Sequence, residues 1–522
     1  MVRTRTASRT RSRPRDVLPK PGGVIHPRVQ AVGPEHFGIV AIDCAKARFK
    51  WQLADFYGNV LVLPTTVEHN RPELDNAIAT LRRVAAERGL TDVLVAVERT
   101  GRYHHISQRA FAAAGYDVRT VHPHATKHYR QVRDPGVKTD DNDLAAIHAA
   151  AVSGFALTEP AIDPFYRTFQ LLIRHRRDAV GKASQLRCQI QEHLEAAWPG
   201  YAACFGDLFA RPVALTLLAL YDSPAALLAA GVDRLAATLR GRGVHFHHRS
   251  LHKILAWAEQ TPAASPAAAT HRRIALELEE DRNRKYSQTI ALEQEICDAL
   301  VRTPYVLLLQ LPGIHVTSAA DLAGEMGPIA NYANAKAITG RAGLFPSRYQ
   351  SDRVDRAGPL VRRANRRLRA AVLTIADNLV QNNAHFGSLA SQWVAAGADP
   401  RKTRVKVASK FCRIAFQLVS GRVAFRHPSM HVRHYVLDKL IGWQREHDTP
   451  MAQSLRQLQA AADQLPRQSY AAEAKPLLAE LERIENGGRR GVQLLGDVLP
   501  MVLARLGVRV VESKPSGESD PR

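Results

Sequence analysis

Four acidic residues, Asp43, Glu98, Asp140 and Asp143, occupy positions from which hard oxygen donors can meet. Asp43 closes the run FGIVAID and Glu98 closes DVLVAVE. Both runs are apolar and β-rich, so each carboxylate emerges at the C-terminal edge of a strand. The stretch KTDDNDLAAI places Asp140 and Asp143 three apart at a helix start, on one face of that helix, with Asp141 on another. Gathered carboxylates repel one another and cannot all ionise cheaply, which makes divalent Mg²⁺ their natural companion. Two such ions would clamp the attacking and leaving oxygens of a phosphodiester. Singly, each acid has an ordinary role, as a helix cap for Asp140 and Asp143, a turn residue for Asp43 or an exposed strand end for Glu98. Their joint placement points to a metal-binding tetrad.

The elements that must hold these acids are legible. From Phe37 the runs FGIVAID, RFKWQLAD and NVLVLPTTV read as three strands of a meander. A helix over 71–88, the strand DVLVAVE, a helix over 105–114, the strand YDVRTVHP and a helix from Asp140 follow. Three strands, then alternating helices and strands, is the order of an RNase H or RuvC-like α/β fold. Apolar residues at Phe165, Phe169, Leu172, Ala179, Ala183, Leu186 and Ile190 carry a 3-4 spacing that predicts one long packed helix over 165–198. A second is expected over 268–302, pairing with the first as a hairpin or joining protomers. The Ala/Leu-rich segment 199–267 between them contains His245, His247, His248 and His252, without a Cys or acidic partner at ligand spacing. Flanking Arg240, Arg242, Arg249 and Lys253 mark that cluster as a basic surface loop.

Lys and Arg together number 72 against 49 acids, a formal charge of +23 across 522 residues, and a polyanion best accounts for so large a positive field. Hydrophobic residues at 45% exclude a disordered chain, and the length calls for two or three domains. Residues 1–36 begin with an Arg-rich, Pro- and Ser-containing stretch that reads as a disordered basic arm. The cysteines Cys44, Cys188, Cys204, Cys297 and Cys412 form no C-x-x-C pair, so neither a zinc knuckle nor a disulfide framework is expected. With no run of about 18 apolar residues and no secretory signal, the expected place is the bacterial cytoplasm, at the nucleoid, with no membrane partner.

Asp43, the phrase VERTGRY holding Glu98, and KTDxxD holding Asp140 and Asp143 resemble the DEDD tetrad of the IS-one-ten insertion-sequence transposases, also called bridge-RNA-guided recombinases. A second block, LPGIHVTSAADLAGEMG, RAGLFPSRYQS and RRANRRLRAAV, is similar in order and spacing to the C-terminal transposase domain of that family. The likeness covers 37–198 and 268–428. It implies a RuvC-like domain that binds Mg²⁺ and a serine, mapping to Ser351, that attacks DNA to give a covalent phosphoserine. It also implies a non-coding bridge RNA that pairs with donor and target DNA, and a homo-oligomer, dimer to tetramer, in which tetrad and serine meet from different protomers. The family serine is typically followed by Gly; here Asp352 follows.

On its own chemistry a serine hydroxyl needs a base or metal and cations around the phosphorus, and apart from the resemblance Ser351 reads as a loop serine. Ser347, after Pro346, does not match the family position. Arg348, Arg353 and Arg356 surround Ser351, and RRANRRLR supplies Arg362, Arg363, Arg366, Arg367 and Arg369, guanidinium groups along two expected helical turns that suit DNA or RNA phosphates. LPGIHVTSA resembles a helix-hairpin-helix turn that offers N–H groups to phosphate, with a plain packed turn as the alternative.

The expected architecture is therefore a disordered arm at 1–36 and an α/β RuvC-like (RNase H) domain at 37–160. Long coiled-coil-like helices follow at 161–302, with an inserted segment at 199–267. A mostly α-helical serine-bearing transposase domain at 303–428 and a helical extension at 429–522 complete it. Leu455, Leu458 and Leu465 in the extension suggest an oligomerisation element. The rival readings are a RuvC-like nuclease or resolvase that uses water, and a non-catalytic nucleic-acid-binding relic.

Overall fold

A computed structural model describes residues 22–159, 163–262, 265–351, 354–423, 425 and 436–465. They fall into two units, Met1–Ala161 and Ile162–Arg522. The first contains α1 (His26–Val32), β1 (Phe37–Cys44), β2 (Arg48–Asp55), β3 (Val60–Glu68), α2 (Arg71–Glu87), β4 (Asp92–Glu98), α3 (His104–Ala113), β5 (Asp117–Val121), α4 (Pro123–Arg133), α5 (Asp140–Val152) and β6 (Ala156–Leu157). Its sheet runs β3-β2-β1-β4-β5-β6. The expected meander is present as antiparallel β1, β2 and β3, whereas β4 and β5 continue in parallel and β6 closes antiparallel.

The unbroken apolar run of β1 follows from cover on both faces. Val40 and Ile42 pack with Ala77, Ile78 and Leu81 of α2 and Phe111 of α3. Ile39 and Ala41 point the other way, into a cluster with Leu144, Ile147 and Ala151 of α5. Two expectations need correction here. The basic arm does not extend to residue 36: Ile25 and Val29 are buried in the α5-side cluster, and Arg28 donates through Nε to Asp92 Oδ2 at 2.9 Å and through Nη1 to Asp117 Oδ2. Apolar anchors and two acid partners outweigh the Pro/Gly-rich local composition, and only 1–21 of the arm lies outside the described residues. The helix α4 was not expected at all.

The second unit is mostly helical. It comprises α6 (Pro164–Ala197), α7 (Val213–Leu220), α8 (Pro224–Gly241), α9 (His248–Gln260), α10 (Ala268–Leu300), α11 (Val316–Met326), α12 (Ala335–Ala342), β7 (Pro346–Ser351), β8 (Val354–Leu360), α13 (Arg366–Asn382), α14 (Ala384–Ala395), α15 (Pro400–Gly421), α16 (Val436–Glu446) and α17 (Met451–Ala462). The long helices α6 and α10 pair within the chain and antiparallel. His175 meets Gln288 at 2.9 Å, and His193 meets His271 at 2.9 Å further along. Between them, α7, α8 and α9 build a separate core around Trp198, Tyr201, Leu218, Leu235 and Ile254. The histidine cluster is not a loop throughout, because His248 and His252 lie in α9.

A second cluster joins α6 and α10 to α11, α13, α15 and α16. At its edge the fully buried Glu325 receives Arg174 through two hydrogen bonds of 3.0 Å and Asn365 at 3.2 Å. Leu458 and Leu465 lie in this same cluster, so these leucines serve the chain's own core instead of a second copy; 466–522 lie outside the described residues. Among the described residues no single helix is long and apolar enough to cross a membrane.

Candidate functional site

The parallel register of β1 and β4 pairs Ile42 with Val97. The next residues, Asp43 and Glu98, therefore leave the sheet side by side, close enough for each to perturb the ionisation of the other. Burial, and then the neighbouring Asp43 charge, pushes the Glu98 carboxyl up to about 7, with Thr126 of α4 drawing it back slightly. Asp43 is also raised, by burial first, and by the charges of Asp143 and Asp140 against the opposing pull of Lys138. Both carboxyls are therefore harder to ionise than free ones.

Thr139 caps α5 by accepting from the Asn142 N–H at 3.2 Å, which starts the helix at Asp140. Asp140 is exposed, whereas Asp143 is buried and ion-paired with Arg130 of α4. Asp141 is ion-paired at 2.5 Å with Lys50, the cross-strand partner of Asp43 on β2. The four oxygens belong to hard donors suited to Mg²⁺. Among the described residues no three of these carboxylates bring ligand atoms within 4.8 Å of one another, so an ion held here would have to draw them together. Arg130, Thr126 and Lys138 escaped the sequence reading. The polar run PHATKHYRQVR gave no core-facing pattern to place α4, although an Arg thirteen residues before Asp143 was a signal in retrospect.

Ser351 ends β7, in a hairpin whose two strands are exposed almost throughout. It pairs with Val354; Asp352 and Arg353 lie outside the described residues. The arginines named from sequence divide sharply. Arg348 is held across the hairpin by Asp355, with Nε at 2.8 Å from Oδ1. Arg369 turns inward, donating to Ala342 O at 2.8 Å and to Val361 O, which removes it from the phosphate-facing set. The run RRANRRLR is not two continuous turns, because Asn365 caps α13 and Arg362 and Arg363 precede it. Arg356, Arg362, Arg363, Arg366 and Arg367 remain exposed. Arg366 and Arg367 occupy the first turn of α13, where the helix dipole disfavours cations unless an anion comes to them.

The turn of LPGIHVTSA takes the packed alternative. Leu311 and Ile314 are fully buried, and the Lys439 ammonium donates to their carbonyls at 2.6 and 3.0 Å. Sequence reasoning also missed a basic groove lined by Lys406, Lys410 and Arg413 of α15 with Trp393 of α14, in which Lys406 stands 5.4 Å from the Trp393 ring centroid. The spacing of these cations along α15 was the available signal.

Residues 40–199 match a family model described as Transposase, and residues 305–390 match one described as Transposase IS116/IS110/IS902 family. The chain is also similar to the insertion element IS110 uncharacterized 43.6 kDa protein of Streptomyces coelicolor, 26% identical over 249 residues, covering 47% of this chain and 62% of that protein. It is similar to the insertion element IS116 uncharacterized 44.8 kDa protein of Streptomyces clavuligerus, 26% identical over 343 residues, covering 63% of this chain and 81% of that protein. The span thus stays under two thirds of the first relative's length and exceeds it in the second. Two matched segments in order, one around the carboxylates and one around the serine hairpin, place this chain in the IS110/IS116 family of insertion-element transposases.

Proposed function

We propose that this chain cuts and rejoins DNA for its insertion element, with a RuvC-like first unit whose Asp43, Glu98, Asp140 and Asp143 hold Mg²⁺, and with Ser351 as nucleophile. The observation that carries the reading is the parallel register that brings Asp43 and Glu98 out of adjacent strands side by side, with α5 presenting Asp140 and Asp143. A bound divalent cation would supply charge for the scissile phosphate. Asp43, Glu98, Asp140 and Asp143 would hold that cation, and Arg130 keeps Asp143 in place. The Ser351 hydroxyl loses its proton, its oxygen bonds to phosphorus, and a deoxyribose oxygen leaves with a proton. The resulting phosphoserine diester conserves the bond energy, so attack by a second sugar hydroxyl rejoins DNA without a cofactor. Arg356, Arg362, Arg363, Arg366 and Arg367 neutralise the approaching phosphates.

In the same reading a non-coding bridge RNA chooses the DNA by base pairing, and the tetrad of one protomer serves the serine of another in a dimer or tetramer. The charge of +23 supports a large nucleic-acid partner. A second reading, cleavage by water, draws on one observation: among the described residues no hydrogen bond reaches the Ser351 hydroxyl, so no base stands ready. Trapping the protein–DNA adduct with Mg²⁺, element-end RNA and matching DNA separates the two. The adduct should form with wild type and vanish in Ser351→Ala and Asp43→Asn. Cleavage that persists in Ser351→Ala would establish the water reading, and DNA binding without any cleavage would mark a relic.

A further inference from the structure

The tightest gathering of ligand atoms among the described residues is not the carboxylate tetrad. His104 and His105 open α3, and Glu159 follows β6; one ligand atom from each of the three lies within 4.8 Å of the others. His104 is 1% exposed, and neither of its ring nitrogens makes a hydrogen bond of ordinary geometry, the Thr100 backbone offering at most a weak contact to one of them. A buried imidazole without a well-formed partner on either nitrogen is rare in a folded chain and calls for one. The two imidazole centroids are 4.1 Å apart.

Gln108 arranges the other two groups. Its Oε1 is 3.2 Å from His105 Nδ1, and its Nε2 donates to Glu159 Oε2 at 3.5 Å. With Nδ1–H donating to Gln108, His105 keeps a lone pair on Nε2, the arrangement a metal-ligating histidine uses. Arg99 contacts the other Glu159 oxygen at 3.3 Å, and a carboxylate retains lone pairs enough for both a cation and a guanidinium.

We propose that His104, His105 and Glu159 form a second metal site, for Zn²⁺ or another late first-row divalent ion and not for Mg²⁺. Two imidazoles and one carboxylate are the borderline-soft set such ions prefer, whereas Mg²⁺ selects oxygens. The site ties the turn after Glu98 to the segment after β6, so it positions the end of β4 without touching the phosphate. It stands independently of whether the tetrad holds Mg²⁺.

Titrating metal-free, full-length protein with Co²⁺ and reading visible absorption tests it, since few-coordinate Co²⁺ at imidazole ligands absorbs strongly and at oxygens alone weakly. Wild type and Asp43→Asn should each take up one Co²⁺ with an intense band that Zn²⁺ erases and excess Mg²⁺ leaves. Half-buried His105 and Glu159 are the positions to change, because His104→Ala risks misfolding; His105→Ala and Glu159→Gln should bind about tenfold or more weakly. Unchanged uptake in both variants, absence of the band in wild type, or its loss in Asp43→Asn would each overturn the proposal.

Discussion

Burial and the Asp43 charge push the Glu98 carboxyl up to about 7, and this has a measurable sign. Its carboxyl stands at about 7 in the fold against a usual 4.5. The protonated form is the one the ion-free fold favours, so that stabilisation is complete below 4.5 and is lost as pH rises through 7. In EDTA the melting temperature of the first unit should therefore fall by a few degrees between pH 5 and 8. Mg²⁺ must displace the proton, so the rise it produces in melting temperature should be small at pH 5 and larger at pH 8. A Mg²⁺ effect that ignores pH in scanning fluorimetry would remove Glu98 from the ligand set. Asp43 and Glu98 were legible because strand ends announce themselves by apolar runs. Arg130 was not, because its partner Asp143 is reached only through the packing of α4 on α5.

Among the elements, the turn between the 304–310 segment and α11 makes a specific demand. Gly313 has φ +88, and a Cβ there would stand 2.6 Å from the Asn378 carbonyl oxygen of α13. Gly313→Ala should lower the unfolding free energy by roughly 1–3 kcal/mol from backbone strain, with the clash adding to it. Urea unfolding followed by circular dichroism measures this, and an unchanged midpoint would mean that α13 simply moves aside. The long helices α6 and α10 could be read from their 3-4 apolar spacing, and the meander from alternation and turns. The β7–β8 hairpin could not, since RYQSDRVDRAG has no apolar face. Its pairing is satisfied by backbone bonds and the Arg348–Asp355 ion pair. Helix α1 was concealed for a different reason: Arg28 looks like one more cation in a basic run, and its acids are 64 and 89 residues away.

Across the whole molecule, each unit encloses buried clusters of its own, two around the sheet and two along the helices. Calorimetry should resolve two transitions, and Mg²⁺ should raise only the one belonging to the carboxylates. A single transition moved as a whole would show that the units melt together. The serine hairpin adds something to this picture. Ser351 and its β7 neighbours are all exposed, and none belongs to a buried cluster. Apart from the Arg348–Asp355 pair and the Ser347 bond to the Pro359 carbonyl, folding exerts little selection on these side chains. The hairpin is thus a cassette: with Ser347, Arg348, Asp355 and Pro359 kept, sequence drift there is cheap for the fold, and a library of replacements between Phe345 and Val361 would sort by activity more than by stability.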